Sequence, residues 1–117
     1  MATVALTEAT FESTVTGDGI IFVDCWAEWC GPCRSFSPVF EAASEQHPEI
    51  VFGKVDTEAE RGIAQMLSIQ TIPTVMAFRD GIMVMRESGA FNKSQLEEII
   101  EQVKQLDMDE VREQLDH

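Results

Sequence analysis

Apolar runs alternate with amphipathic stretches along most of the chain. Residues 20–23 are four consecutive apolar side chains, which predict a strand buried on both faces. Residues 36–46 carry aromatic and aliphatic side chains at the i, i+3 and i+4 spacing of one helix face. A second apolar run at 50–55 and a short helical pattern at 63–67 repeat this order. The alternation of strand and helix predicts a parallel sheet with helical crossovers.

The residues before the first buried strand predict two small elements. A β-branched run at 3–5 is a candidate edge strand. Thr7 is a candidate N-cap for a helix that continues to about Val15, with Phe11 and Val15 on one face. The Gly-Asp-Gly sequence at 17–19 is expected to end this helix.

After residue 73 the pattern changes from crossovers to a hairpin. Residues 74–78 and 82–86 are short strand patterns on either side of an Arg-Asp-Gly turn. Alternation along the second strand places Met83 and Met85 on one face and Val84 on the other. The two strands are therefore expected to pair antiparallel.

The last part of the chain predicts a helix and then an acidic extension. Residues 94–97, Ser-Gln-Leu-Glu, are a candidate capping box that opens an amphipathic stripe over 96–103. Residues 97–117 hold eight acidic and two basic side chains, a net charge of −6. The length of 117 residues predicts a single domain, which we place at 1–106 ahead of the extension. The extension at 107–117 is expected to be helical, and it is either a solvated end or a docking segment for a partner.

Two cysteines lie two residues apart, between the first buried strand and the helix that follows it. Cys30 and Cys33 can close a small disulfide ring, and Pro32 suits the first turn of a helix. Unpaired N–H groups and the helix dipole favour an anion at this position. The anion here is the thiolate, the nucleophile of disulfide exchange. Cys30 is expected to attack, because Cys33 lies one turn into the helix and should be more shielded.

Two other interpretations of the cysteine pair are weaker. A zinc site needs about four ligands, and the chain adds to this pair only a lone Cys25, His47 and His117 among its cysteines and histidines. A structural disulfide that closes so short a ring would restrict the unfolded chain little. No metal is therefore predicted, and neither histidine is given a role.

Several segments carry a resemblance to one known family. Residues 23–33, Val-Asp-Cys-Trp-Ala-Glu-Trp-Cys-Gly-Pro-Cys, resemble the active-site segment of the thioredoxin family. The Ile-Pro-Thr sequence at 72–74 resembles its cis-proline loop, and residues 80–81 and 88–90 match its later turn and glycine positions. The resemblance covers nearly the whole chain. It implies an α/β thioredoxin fold, in which a central mixed five-stranded sheet is flanked by about four helices.

The resemblance also implies roles around the dithiol. Cys30 would attack a disulfide of a client protein, and Cys33 would resolve the mixed disulfide. Asp24 directly follows four buried apolar residues, so its carboxyl is expected to have a raised pKa, which suits a proton acceptor near neutral pH. The resemblance places Asp24 behind the dithiol as acceptor of the Cys33 proton. A salt bridge from Asp24 to Lys54 is the alternative, and both interpretations can hold together.

A cis-proline at Pro73 and a substrate groove beside it are further implications of the resemblance. The backbone of Ile72 would pair there with an extended client segment. The expected groove residues share an apolar, uncharged character and are Trp29, Gly31, Pro32, Ile72, Pro73, Gly89 and Ala90. Core packing is the alternative for Ile72 and Ala90.

Two residues near the dithiol have other expected roles. Trp26 is expected to pack beneath the active-site loop. Cys25 follows Asp24 in the strand, so it is expected on the opposite face of the sheet. There it would be a buried apolar residue, and a regulatory thiol is the alternative.

The net charge of −13 limits the expected partners. Nucleic acids and anionic membranes attract basic surfaces, so neither is expected to bind. The N-terminal residues lack the basic and apolar regions of a signal peptide, and no apolar run approaches the ~20 residues that span a bilayer. Three cysteines without a secretory signal fit a reducing compartment, so a cytoplasmic location is expected. Nothing in the sequence suggests an obligate interface, so a monomer is expected.

The sequence therefore predicts a protein-disulfide reductase whose redox-active group is the Cys30–Cys33 pair, with no cofactor. Its expected partners are client proteins that contain disulfides and a thioredoxin reductase that renews the dithiol. The Gly-Pro pair between the cysteines resembles that of the reducing members of the family. A disulfide oxidase or isomerase is one alternative. A thioredoxin-fold scaffold or binding subunit, with incidental redox chemistry, is the other.

Overall fold

The computed structural model describes residues 2–116, so Met1 and His117 lie outside the described residues. The helices and strands, in chain order, are β1 (Thr3–Ala5), α1 (Phe11–Val15), β2 (Ile20–Trp26), α2 (Gly31–Gln46), β3 (Val51–Asp56), α3 (Arg61–Met66), β4 (Thr74–Arg79), β5 (Ile82–Ser88), α4 (Lys93–Lys104) and α5 (Met108–Leu115). The strands form one sheet in the order β1-β3-β2-β4-β5.

The sheet is mixed, as the sequence predicted. Strand β3 pairs parallel with both β1 and β2, whereas β4 pairs antiparallel with β2 and with β5. The apolar run of β2 lies at the centre, with Phe22 and Val23 fully buried. Because helices cover both faces of a sheet with parallel strands, such a strand needs no polar face.

Two apolar cores lie on the two faces of the sheet. One contains the aromatic residues of α2 and the stripe of α4, including Phe36, Phe40, Leu96 and Ile100. The other contains residues of α1 and α3 with the opposite side of β2, including Phe11, Ile63 and Cys25. Strand β2 therefore separates two environments, and residues that alternate along it enter different ones.

Helix α1 begins later than the sequence predicted. It starts at Phe11, so Thr7 is not its N-cap. The carbonyl oxygen of Thr7 instead accepts the N–H groups of Thr10 and Phe11, and the Thr7 N–H donates to Thr10 Oγ1 at 3.0 Å. These local bonds hold residues 7–10 in a turn, which competes with a first helical turn.

The hairpin forms about a tighter turn and longer strands than predicted. Asp80 and Gly81 have φ values of 53° and 82°, the positive values that a two-residue hairpin turn requires. The pairing shifts between Ala77 and Phe78, which face Met85 and Met83 respectively. Val84 and Met85 both pack against the α2–α4 core, whereas Met83 is exposed. The predicted face-sharing of Met83 and Met85 is therefore wrong, because a β-bulge interrupts the alternation.

Helix α4 has a capping box, but at an earlier position than predicted. Asn92 is the N-cap; its side chain accepts the Gln95 N–H at 2.9 Å, and the Gln95 side chain accepts the Asn92 N–H at 2.9 Å. Ser94 therefore lies inside the helix. The amphipathic stripe is confirmed, since Leu96, Ile100 and Val103 are buried.

Helix α5 occupies most of the acidic extension and makes a fifth helix among the described residues, where about four were expected. The Asp107 side chain caps it by accepting the N–H groups of Asp109 and Glu110. Met108 is buried, whereas Leu115 is 63% exposed. Within residues 2–116, no helix is both long and apolar enough to cross a membrane.

Candidate active site

The two cysteines lie where a central strand gives way to a helix. Strand β2 ends at Trp26, and α2 begins at Gly31 with Cys30 as its N-cap. Cys30 and Cys33 form a disulfide with their Cα atoms 5.2 Å apart. The Cys33 N–H points at Cys30 Sγ, 3.1 Å away. On reduction, this N–H and the helix dipole would favour a thiolate on Cys30.

Both sulfur-bearing residues are almost wholly buried. Cys30 is 4% exposed and Cys33 is 2% exposed, so the expected shielding of Cys33 is a small difference in this oxidised state. The two cysteines form a small apolar cluster with Ala27, against which Trp26 and Ile72 pack. Trp26, which the sequence led us to expect beneath the active-site loop, thus contacts this cysteine cluster.

The loop before β4 brings a second segment against the dithiol. The Ile72–Pro73 peptide bond is cis, as the resemblance implied. The Ile72 carbonyl oxygen lies 3.8 Å from Cys30 Sγ, and the Gly89 N–H donates to the Pro73 carbonyl at 2.9 Å. The Ile72–Pro73 segment and Gly89, which is 16 positions after Pro73, therefore meet beside the disulfide.

Several of the expected groove residues are open to solvent. Trp29 is 67% exposed, and Gly31, Pro32 and Ala90 are exposed, so core packing does not account for Ala90. Ile72 is half-buried and packs against the cysteine cluster. A cleft of about 210 Å³ lies beside the dithiol and includes Trp29 and Ile72 in its lining. The sequence did not single out the rest of the lining, which comprises Thr57, Glu58, Ala64, Ile69 and Gln70.

Asp24 is a buried carboxyl without a hydrogen-bond partner. It is 0% exposed, in register with Lys54 on β3 and with Val75 on β4. Neither carboxyl oxygen has a hydrogen-bond partner among residues 2–116. Burial raises the pKa of Asp24 from 3.8 to about 7, although the positive charge of Lys54 opposes the rise. The predicted direction of the pKa shift is confirmed.

Lys54 does not make the direct salt bridge that the sequence suggested as an alternative. Its ammonium donates to Ser37 Oγ at 2.6 Å and lies 5.4 Å from the centroid of the Trp26 ring. Ser37 lies four residues after Cys33 on α2, a helical spacing that places both on one face. Sequence reasoning missed Ser37, although this spacing could have indicated it.

A cavity opens beside the second cysteine. It has a volume of about 200 Å³ and is lined by Trp26, Cys33, Arg34, Ser37 and Lys54. Arg34 is fixed at its edge by a hydrogen bond from Nη1 to the Glu28 carbonyl at 2.7 Å. The cavity gives Cys33 two cationic neighbours in a chain whose net charge is −13.

Cys25 faces away from the dithiol, as predicted. It is fully buried in the core beneath α1 and α3. Burial, with a smaller effect from the charge of Asp24, raises the pKa of Cys25 to about 12, and the charge of Arg86 opposes this rise. A thiol in this environment is not a nucleophile near neutral pH.

The ring of His47, the residue that ends α2, contacts charged side chains of α4. Its Nε2 lies 2.8 Å from Glu97 Oε2, and its Nδ1 lies 3.3 Å from the Lys104 ammonium. Across residues 2–116, the structure contains no group of three or more His, Cys, Asp or Glu side chains that could hold a metal ion.

A redox-active cysteine pair at a helix N-terminus, on a mixed five-stranded sheet, defines a thiol-disulfide oxidoreductase. Comparison with known proteins refines this class. The family model described as Thioredoxin matches residues 2–102. A Streptomyces coelicolor protein whose name describes it as a thioredoxin is 49% identical over 111 residues, 95% of this chain and 83% of that protein. The thioredoxin of Alicyclobacillus acidocaldarius is 37% identical over 97 residues, 82% of this chain and 92% of that protein.

A solved structure agrees with these relatives. The structure of Plasmodium falciparum thioredoxin superposes with a TM-score of 0.78 at 32% identity, covering 86% of this chain and 97% of that chain. The chain belongs to the thioredoxin family, and it is a disulfide reductase.

Proposed function

We propose that the protein reduces disulfides of client proteins by two successive exchange steps. The Cys30 thiolate attacks one sulfur of a client disulfide, forms a mixed disulfide and releases the other client sulfur as a thiolate. Cys33 then loses its proton and attacks Cys30 Sγ. The second client thiol leaves, and the Cys30–Cys33 disulfide forms. The client gains two electrons and two protons, and the dithiol loses them.

The observation that carries this proposal is the N–H of Cys33, which points at Cys30 Sγ from 3.1 Å. This donor would stabilise the Cys30 thiolate before attack, because thiolates at helix N-termini have lowered pKa values. Asp24 would accept the Cys33 proton in the second step, since a carboxyl with a pKa of about 7 can exchange protons near neutral pH. Trp26 and Lys54 would support this site.

Trapping of the mixed disulfide tests the assignment. Cys33→Ser is expected to remain covalently attached to an oxidised client through Cys30, because the resolving thiol is missing. Cys30→Ser is expected to form no such adduct. The assignment would be overturned if Cys30→Ser formed an adduct on Cys33 as fast as Cys33→Ser forms one on Cys30.

The groove beside the dithiol would bind the client. We assign this role to residues around the disulfide, namely Trp29, Gly31, Pro32, Ile72, Pro73, Gly89 and Ala90. All of them are exposed or half-buried except Pro73, which is buried. The position of the Ile72 carbonyl 3.8 Å from Cys30 Sγ supports it, because a client strand that pairs with Ile72 would bring its disulfide near Cys30.

A thioredoxin reductase would renew the dithiol, and the protein would act as a cytoplasmic monomer in electron transfer and cell redox homeostasis. The scaffold alternative is tested by the Cys30→Ser, Cys33→Ser double variant. A reductase loses all turnover in this variant, whereas a scaffold keeps its function.

The thioredoxin domain would span 1–106, and the acidic extension at 107–117 would be a solvated end. Within 107–116, the described part of this extension, lie α5 and its cap, and Arg112 Nη1 is 3.9 Å from Asp80 Oδ2 on the hairpin turn. Deletion of 107–117 is expected to leave the kinetics with reductase and client unchanged. A raised KM for either partner would show instead that the extension is a docking segment.

A further inference from the structure

The loop that carries Ile72 and Pro73 connects α3 to β4 and runs over residues 67–73. Both ends of this loop are attached to β5, which is an edge strand of the sheet. The attachments are made by the side chains of Arg86 and Ser88, neither of which was singled out for a role by the sequence.

Arg86 holds the start of the loop. Its Nη1 donates to the Leu67 carbonyl at 2.6 Å, and its Nη2 donates to the Ser68 carbonyl at 3.1 Å. Ser68 has a φ of 53°, so the chain leaves α3 through a left-handed residue at this point. The guanidinium satisfies two carbonyl groups that a helix end leaves without partners.

Ser88 holds the end of the loop. Its hydroxyl is 2.8 Å from Thr71 Oγ1 and 3.4 Å from Thr74 Oγ1. The Thr74 hydroxyl also donates to the Thr71 carbonyl, and Thr74 and Ser88 are register partners across β4 and β5. The three hydroxyls therefore form a small polar cluster immediately beside Ile72 and Gly89.

We propose that Ser88 and Arg86 are positioning residues for client recognition, which hold the loop so that the Ile72 backbone meets an extended client strand within reach of Cys30. This inference rests on the proposed groove. The Ile72 carbonyl is 3.8 Å from Cys30 Sγ, so the position of the loop sets the position of the client disulfide. A loop that is held less firmly must be ordered when the client binds, which weakens client binding.

These contacts are suited to positioning rather than to stability. Thr71, Arg86 and Ser88 are all exposed, so water can replace each hydrogen bond in a variant. Loss of the Ser88 hydroxyl would therefore leave the folded core intact and change only how firmly the loop is held.

The test compares a protein disulfide with a small one. Ser88→Ala and Thr71→Val are assayed with insulin, which presents an extended chain, and with 5,5′-dithiobis(2-nitrobenzoic acid), which does not use the groove. The expected result is a KM for insulin raised by about 3- to 10-fold, the scale of one lost hydrogen bond. The kcat for insulin and the rate with the small disulfide are expected to stay unchanged.

Control variants separate positioning from general damage. Ser88→Thr keeps the hydroxyl and is expected to restore the insulin KM. Ser94→Ala, an exposed serine on α4, is expected to have no effect. The effects of Ser88→Ala and Thr71→Val are expected to be non-additive, because each removes the same hydrogen bond. Arg86→Met, at the other end of the loop, is expected to raise the insulin KM in addition.

Failure of this inference differs from failure of the proposed function. An unchanged insulin KM in both Ser88→Ala and Arg86→Met would overturn the inference, as would an equal loss with insulin and the small disulfide. If the unmodified protein reduces neither substrate when its dithiol is renewed chemically, the proposed function itself fails.

Discussion

Strand β2 carries a carboxyl and a thiol at adjacent positions on opposite faces of the sheet, and burial has a different consequence for each. Asp24 and Cys25 are both 0% exposed. Burial raises the pKa of both, to about 7 for Asp24 and to about 12 for Cys25. The same physical cause therefore brings one group into the range of neutral pH and removes the other from it, because the ordinary pKa of a carboxyl is low and that of a thiol is high.

The dithiol provides the other half of this comparison. Cys30 is nearly as buried as Cys25, at 4% exposure, yet it lies at a helix N-terminus and accepts an N–H from Cys33. Burial alone does not decide whether a thiol reacts; the local donors and dipole do. Substitutions at Cys30, Cys25, Asp24 and Lys54 would break or sharpen this contrast.

The largest effect on turnover is expected when Cys30, rather than Cys25, is replaced by serine. Cys30→Ser removes the nucleophile and should lower turnover by at least about 10³-fold. Cys25→Ser should leave turnover unchanged and lower the free energy of unfolding by about 1–3 kcal/mol, because it buries a hydroxyl in an apolar core. Steady-state kinetics and urea unfolding measure the two effects. Loss of activity in Cys25→Ser at unchanged stability would reveal a regulatory thiol.

Asp24→Asn is expected to slow the resolving step by about 10²-fold, the scale of general base catalysis. It should also stabilise the fold. Between pH 3.8 and about 7 the folded chain retains a proton on Asp24 that the unfolded chain has lost. The free energy of unfolding therefore falls as pH rises through this window, by up to about 4 kcal/mol.

Urea unfolding from pH 4 to 8 checks this expectation. The variant should be more stable than the unmodified protein at pH 8, with a difference that shrinks towards pH 4. Asp18→Asn, which removes an exposed acid, is the matched control. A variant with full activity and unchanged stability at pH 8 would contradict the role of Asp24.

A smaller effect is expected from Lys54→Met. The positive charge of Lys54 lowers the pKa of Asp24, against the effect of burial. Removal of this charge should therefore raise the pKa of Asp24 further. At pH 7 more Asp24 would then be protonated, and the resolving rate should fall by about 3-fold or more, since one pKa unit changes the protonation ratio tenfold. The pH profile of the resolving step should shift to higher pH. A shift to lower pH would show that Lys54 does not act on Asp24 through its charge.

The main elements of the fold were predictable because the sequence is locally consistent. The apolar run at 20–23 required a strand that is buried on both faces, and the stripe of α4 required a helix with one buried face. The errors fall where local alternatives compete. The Thr7–Thr10 turn displaced the start of α1, and the bulge at Val84 reversed the faces of β5. Neither depends on periodicity, so periodicity could not indicate them.

The site was predictable to a different degree. The cysteine pair and the buried Asp24 follow from spacing and from adjacent apolar residues. Contacts between distant segments do not: Lys54 reaches Ser37 across 17 positions, and Thr71 reaches Ser88 across the same separation. Such pairs become visible only when the sheet register and the helix placement are known.

The reduction potential of the Cys30–Cys33 couple tests the central claim most directly. It is measured by equilibrating the protein with glutathione or dithiothreitol buffers and quantifying the disulfide fraction. A protein-disulfide reductase should give a value of about −270 mV, the potential characteristic of thioredoxins. A value of about −180 mV or higher, as in disulfide isomerases, would contradict the account and make the dithiol an oxidant.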